Sequence, residues 1–205
     1  SYANPLLNTE DIRALELEIS AMAPEQVAQE IGGQFIDAVT GRAWAFAFDT
    51  AKHVRPVKFT PGQPVQIVAD FNVEPFCASL WHINSMSAHC FAEIGITDPS
   101  VEEMGNRIRA IIGQTALLEL TGDHNGNNRA IGQNSTASIF SKLQKKLRLG
   151  PRQLILKPNP THLQSREDTN FVLANHPDFA INPSCTEVIA DMKLMEAGPN
   201  GEIIK

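Results

Sequence analysis

Two aspartates, Asp70 and Asp123, carry the chemistry that this sequence indicates most clearly. Each one ends an apolar run, over residues 65–70 and 117–123, that predicts a buried strand. A carboxylate at the end of a buried strand costs free energy unless a partner neutralises it. Two such carboxylates on one sheet can face each other and share a cation, and Mg²⁺ and Mn²⁺ prefer oxygen ligands. The pair therefore predicts a divalent metal site.

The elements around these aspartates predict an α/β domain. Three consecutive strands are expected at about 65–71, 76–83 and 87–94, followed by a helix over 98–112 and a strand at 115–121. A helix from Ser135, a strand at 153–156, a helix near 166–173, a short strand at 179–181 and a last helix with a capping box of Ser184 and Glu187 complete the order. Two further helical stretches are expected within residues 9–31. This order indicates a mixed sheet of five to six strands flanked by helices on both faces, the layout of the ribonuclease H-like fold.

Composition narrows the class of protein. The chain has 205 residues and 42% apolar residues, which fits one domain with an appendage. No apolar stretch has the length of a transmembrane helix, and the N-terminus lacks the pattern of a signal peptide. The scattered, odd set of Cys77, Cys90 and Cys185 favours reduced thiols over a disulfide framework or a zinc site. A net charge of −6 excludes a basic field over the whole molecule, so any contact with nucleic acid needs a local patch or metal ions.

Several segments resemble the nuclease domain of bacteriophage large terminases. The sequence VADFNVEP of residues 68–75 resembles their first nuclease motif, and TGDHNG of residues 121–126 resembles their second. Residues 175–192 resemble the stretch before their final motif, and EIGGQF of residues 30–35 resembles the tail of the preceding ATPase domain. The resemblance covers most of residues 25–195, and the order and spacing of the motifs are more specific than any one of them.

The resemblance also implies how the chain is divided. Residues 61–205 would form the nuclease domain, and residues 1–60 would form a helical and irregular segment that leads from an ATPase domain. The chain contains no Walker A pattern, so that ATPase domain is expected outside it. The family's third acidic residue has no match after Asp191. It is therefore expected beyond Lys205, with the rest of the domain.

For a terminase nuclease the implied reaction is phosphodiester hydrolysis with two metal ions, Mg²⁺ or Mn²⁺, about 3.5–4 Å apart. Asp70 is the candidate for the bridging carboxylate, and Asp123 for a ligand of one ion. Glu93, at the end of the third predicted strand, is a further candidate ligand or outer partner. The alternative for Glu93 is an edge-strand carboxylate in water, and for either aspartate alone it is ordinary turn formation.

Contacts with double-stranded DNA are expected from a second group of residues. Lys142, Lys145 and Lys146 lie on the predicted face of a helix that is opposite its apolar residues, and Arg129 precedes that helix. Such side chains would bind phosphates without sequence preference, although a charged helix face is often only solvated. Asn72 and His124 directly follow the two aspartates, and turn formation or simple solvation is the alternative for them.

The predicted function is a metal-dependent endonuclease that cuts concatemeric viral DNA during genome packaging. It would act in the host cytoplasm, transiently docked on the procapsid, with the portal and the small terminase subunit as partners; it would not be secreted or bound to a membrane. One alternative is another ribonuclease H-like nuclease, such as a junction resolvase or a ribonuclease H. The other is a non-catalytic domain of this fold that binds DNA or a portal protein.

Overall fold

The computed structural model describes residues 42–71, 76–97, 100–114, 117–123 and 138–204, together with Arg13, Leu17, Ile19 and Ser20. The helices predicted within residues 9–31 lie outside this part of the chain except at those four positions, which are helical. The chain divides into two compact units. One is Val54–Asn159 with Ala180–Val188, and the other is Ser1–His53 with Pro160–Phe179 and Ile189–Lys205.

The described elements follow the chain in this order. They are β1 (Arg42–Ala43), α1 (Thr50–His53), β2 (Val65–Phe71), β3 (Phe76–Ile83), β4 (Ala88–Ile96), α2 (Val101–Ile112), β5 (Leu118–Gly122), α3 (Ile139–Leu147), α4 (His162–Asn175), β6 (Phe179–Ile181), α5 (Thr186–Leu194), β7 (Glu196–Ala197) and β8 (Ile203–Ile204). Within the described residues, no helix combines the length and the apolar character that crossing a membrane requires.

A five-stranded mixed sheet organises the larger part of the fold, with the strand order β5-β2-β3-β4-β6. β2, β3 and β4 form consecutive antiparallel hairpins, whereas β5 pairs with β2 in parallel. This arrangement, with helices packed against the sheet, confirms the predicted ribonuclease H-like class. The first two strands have the predicted bounds, and the third ends two residues later than expected, at Ile96.

The strand predicted at 153–156 is wrong. Residues Pro151–Gln153 form a 3-10 turn, and the following segment pairs with the sheet only through a single parallel bridge between Leu120 and Leu154. The 3-10 turn includes Gln153, so the extended segment begins only at Leu154. Proline has no backbone N–H to donate, so Pro158 and Pro160 prevent a ladder from forming farther along the segment.

One side of the sheet forms the core of the unit. Alternation along β2 buries Val65, Ile67 and Ala69, and the apolar faces of α2 and α3 pack in the same cluster. Met104 of α2 and Phe140 of α3 are fully buried there. Each such side chain stabilises the fold by roughly 1.5–3 kcal/mol through burial. The same alternation directs the other residues of β2, Asp70 among them, to the opposite side.

Serine caps set the starts of both core helices. The Ser100 side chain accepts a hydrogen bond from the Glu103 N–H at 3.2 Å, and the Ser138 side chain accepts one from the Ser141 N–H at 3.1 Å. α2 therefore begins three residues, and α3 four residues, later than the sequence pattern predicts. α2 ends at Gly113, whose φ of 72° is a backbone conformation that glycine adopts without strain.

The other unit is built around α4 and a small antiparallel sheet of β1, β7 and β8. Trp44 packs there with Leu173 and Ala197. Two buried polar side chains of α4 hold the turn after β1: Asn170 donates to the Trp44 carbonyl at 2.9 Å, and Arg166 donates to the same carbonyl at 3.2 Å. Burial of these groups is tolerated because they are hydrogen-bonded.

Candidate metal centre

The parallel pairing of β2 with β5 brings the two predicted aspartates together. Its register runs from Val65 opposite Leu118 to Ala69 opposite Gly122, so Asp70 and Asp123 are the next residues of the same register. The carboxyl ends of neighbouring parallel strands lie side by side, and both aspartates are exposed there. Their positions alternate with the buried residues of each strand, which places both carboxylates on the side of the sheet away from the core.

Gly122 makes this close pairing possible. A Cβ atom at residue 122 would overlap the backbone carbonyl oxygen of Ala69 and would lie 2.9 Å from the Phe140 ring. Only glycine leaves room for β5 to approach β2 so closely at this end of the sheet. The glycine that precedes Asp123 therefore has a structural role in positioning the aspartate beside Asp70.

Asn159 is a contact of the site that the sequence pattern did not indicate. Its side-chain Nδ2 donates a hydrogen bond to Oδ1 of Asp123, and the two atoms are 2.5 Å apart. The two residues are separated by 36 positions in the sequence. The only sequence signal is an asparagine between two prolines, Pro158 and Pro160, which indicates a constrained turn but not its destination.

Glu93 lies on the same side of the sheet but performs a different task in this structure. It pairs with Ser79 of β3, which in turn pairs with Val68 of β2, so two strands separate it from the β5 edge. Its carboxylate accepts hydrogen bonds from the N–H groups of Glu187 and Val188 at 3.1 and 3.0 Å. Glu93 thus caps the first turn of α5, where a negative charge also suits the helix dipole. A role for Glu93 in metal binding stays a prediction.

The predicted capping box of Ser184 and Glu187 is wrong, because the Glu187 N–H donates to Glu93 and not to Ser184. The Ser184 hydroxyl accepts a hydrogen bond from the Asn182 side chain at 2.6 Å, and Thr186 donates its own hydroxyl to Glu93 at 3.3 Å. An acceptor from a neighbouring strand replaces the local one because the helix begins directly over the sheet.

Two thiols that are far apart in the sequence also meet on this side of the sheet. The Sγ atoms of Cys90 and Cys185 are 3.8 Å apart, and both residues are fully buried free thiols. The hydrogen bond to Cys185, together with burial, raises the pKa of the Cys90 thiol. Cys90 is therefore protonated at neutral pH.

The three lysines of α3 are not gathered at the aspartates. α3 packs on the core side of the sheet, opposite the side that carries Asp70. Lys145 is exposed, whereas Lys146 forms an ion pair with Glu102 and its aliphatic chain lies against Gly105 of α2. The remaining predicted DNA contacts, Asn72, His124 and Arg129, lie outside the described residues and stay predictions.

The chemistry of the two strand-end carboxylates fits a hard divalent cation. Both aspartates offer oxygen donors, both are accessible to hydrated ions, and mutual repulsion between them favours a cation that binds both. Among the described residues, no group of three or more His, Cys, Asp or Glu side chains forms a complete metal site. The described donor set therefore consists of the Asp70 and Asp123 pair, with its third ligand still a prediction.

No protein-family model and no curated protein sequence matches the chain. Among solved structures, the large terminase of a thermophilic bacteriophage matches over 98% of this chain and 49% of its own length, with a TM-score of 0.68 and 15% sequence identity. The nuclease domain of the P22 large terminase matches over 80% of this chain and 84% of its own length, with a TM-score of 0.53 and 11% identity. The chain has the fold of a large terminase nuclease domain.

This terminase nuclease fold confirms the fold that the sequence motifs implied. The chain spans about half the length of the thermophilic-phage large terminase structures that it matches. In this fold Asp70 is the second-last residue of the first strand of the main sheet, and Asp123 directly follows the strand that pairs with it in parallel.

Proposed function

We propose that this chain is the nuclease domain of a phage large terminase and that it hydrolyses phosphodiester bonds of double-stranded DNA during genome packaging. The observation that carries the proposal is the adjacency of Asp70 and Asp123 at the ends of two parallel strands within a terminase nuclease fold. Two motifs separated by 53 positions in the sequence meet at one edge of the sheet, which is what a shared metal site requires.

Asp70 and Asp123 would hold Mg²⁺ or Mn²⁺, in our proposal two ions with Asp70 as the shared ligand. Such ions, when bound, activate the attacking water and stabilise charge on the phosphate and the leaving oxygen. The protein's contribution is to fix the two carboxylates before the ion arrives. Paired strands do this better than flexible loops do. Asp70 lies on β2, which pairs with a strand on each side, and Asp123 directly follows β5, which pairs with β2.

The partners of the whole protein belong to the same proposal. The matched large terminase of the thermophilic phage is about twice as long as this chain, and one of its structures is a complex with ATP-gamma-S. We expect an ATPase domain in the complete protein, with the portal and the small terminase subunit as partners in the host cytoplasm. A chain with a net charge of −6 benefits from such tethering, because a motor that holds DNA raises the local DNA concentration at the nuclease.

The decisive experiment measures cleavage of plasmid DNA with Mg²⁺ or Mn²⁺. Asp70→Asn and Asp123→Asn should each lower the cleavage rate about 10³-fold, because metal-assisted charge stabilisation contributes several kcal/mol. EDTA should abolish cleavage by the unmodified chain. Unchanged cleavage in EDTA, or in either variant, would refute the metal-dependent nuclease.

Glu119→Gln is the matched control. Glu119 lies on β5, on the same side of the sheet as Asp123 and exposed, but opposite Gln66 and away from the strand end. Its loss should leave the rate unchanged. Four-way junctions and RNA–DNA hybrids serve as competing substrates, and a clear preference for either would favour a resolvase or a ribonuclease H over a terminase.

A further inference from the structure

We infer that Asn159 is a positioning residue for the metal site, which holds the Asp123 carboxylate in the orientation that a divalent cation needs. The inference rests on the proposed function, since it assigns a role in the same site. It concerns a residue that lies 36 positions after Asp123 and outside every motif of the sequence.

The path of the chain delivers Asn159 to the site. After the 3-10 turn, the Gln153 side chain donates to the Leu118 carbonyl at 2.7 Å, and the Ile155 N–H donates to the Leu120 carbonyl at 2.8 Å. The bridge between Leu120 and Leu154 is parallel, so this segment runs beside β5 in the same direction. It therefore reaches the end of β5 where Asp123 stands.

The flanking prolines restrict the segment at the point of contact. Pro158 and Pro160 each have a fixed φ, and a residue that precedes proline is confined to extended conformations. The backbone of Asn159 therefore favours an extended conformation between two neighbours of fixed φ. Less conformational freedom is lost when its side chain forms the hydrogen bond, so the contact is pre-organised.

The chemistry of an amide suits this role. The hydrogen bond from Nδ2 of Asn159 to Oδ1 of Asp123, at 2.5 Å, limits rotation of the carboxylate. The amide is neutral, so it does not compete with a cation, as a lysine in its place would. Groups of this kind that hydrogen-bond a metal ligand typically change metal affinity by about 10–100-fold when they are removed.

The test makes two measurements. The first is Mn²⁺ binding to the chain, monitored by the electron paramagnetic resonance signal of free Mn²⁺, and the second is the melting temperature in EDTA. Asn159→Ala should raise the dissociation constant for Mn²⁺ about 10-fold or more. Its melting temperature in EDTA should equal that of Asn106→Ala, a control that removes an exposed asparagine from α2. An unchanged dissociation constant would overturn the inference. So would a large fall of the melting temperature in EDTA, because Asn159 would then hold the chain together rather than orient a ligand.

The same titration separates this inference from the function on which it rests. If Asp70→Asn and Asp123→Asn abolish Mn²⁺ binding while Asn159→Ala does not affect it, only the role of Asn159 fails. If the two aspartate variants bind Mn²⁺ as the unmodified chain does, the metal site itself fails, and the role of Asn159 fails with it.

Discussion

The ends of β2 and β5 and the helix α3 use charged residues in opposite ways. At the strand ends, two carboxylates that are 53 positions apart in the sequence become neighbours through the register of a parallel pair. α3 carries three lysines within five positions, but they have different surroundings. Lys145 is exposed, whereas Lys146 forms an ion pair with Glu102 and packs on Gly105. Proximity in the sequence is therefore a poor guide to which charges act together.

The physical difference lies in what each element does to its side chains. A sheet register places residues from distant parts of the chain side by side on one face. A helix distributes successive residues around its circumference, so neighbouring elements meet them one at a time. The strand-end pair can concentrate negative potential, whereas the positive charge of α3 is partly neutralised within the fold.

The largest effect should come from breaking the strand contact at Gly122. In Gly122→Ala the new methyl group would overlap the Ala69 carbonyl, so β5 must move away from β2 at the end that carries Asp123. We expect a loss of about 3 kcal/mol in the free energy of unfolding, measured by urea denaturation, together with loss of Mn²⁺ binding.

Gly95→Ala is the control for this substitution. Gly95 lies on β4 in the same cross-strand row as Asp70, and a Cβ atom there would contact nothing within 4 Å. Its stability should stay the same or rise by up to about 1 kcal/mol, since alanine has less freedom than glycine in the unfolded chain. Equal behaviour of the two glycine variants would show that close approach of β5 to β2 does not form the site.

A smaller effect is expected at Glu93, whose two proposed roles make different predictions. If it only caps α5, Glu93→Ala should lower the free energy of unfolding by about 0.5–2 kcal/mol, as loss of a helix cap does. The affinity for Mn²⁺ should then be unchanged. A Mn²⁺ affinity below that of the unmodified chain would instead make Glu93 a member of the metal site.

The smallest effects should distinguish two adjacent lysines of α3. Lys146→Ala removes an ion pair and the packing on Gly105, so it should destabilise the fold by up to about 1 kcal/mol. Lys145→Ala should leave stability unchanged because that side chain is exposed.

DNA binding tests the same lysines independently. If Lys145 contacts a phosphate, its removal should reduce the slope of log affinity against log salt by about 0.9. An unchanged slope for Lys145→Ala and Lys146→Ala would direct the search for the DNA path to the side of the sheet that carries Asp70.

The sequence predicts most of the main sheet because its strands either alternate apolar and polar residues or are uniformly apolar. These local patterns correspond to the buried and exposed sides of the strands in the structure. β2 and β3 have the predicted bounds, and the strands at whose ends Asp70 and Asp123 lie belong to one sheet, as predicted. That these two strands pair directly and in parallel is a finding of the structure. The exception is the segment 153–156, where the 3-10 turn that begins at Pro151 includes Gln153 and only one bridge, at Leu154, joins the segment to the sheet.

Local sequence patterns do not predict features that depend on contacts between distant parts of the chain. The cap of α5 comes from Glu93, more than 90 residues earlier, although Ser184 and Glu187 have the spacing of a local capping box. The contact of Asn159 with Asp123 depends on the path of a segment that has no regular structure. Both are set by where a strand or a segment lies in space, which the types of neighbouring residues do not encode.

The strand order β5-β2-β3 has a consequence for the time course of folding. β3, β4 and α2 all lie between β2 and β5 in the chain, so the two strands can pair only after that intervening chain has closed into a loop. Contacts of such long sequence separation form late and slowly compared with hairpins. A chain in which β5 has not yet paired with β2 therefore has no paired aspartates with which to hold a cation. The proposed cutting activity would begin only after this long-range pairing has formed.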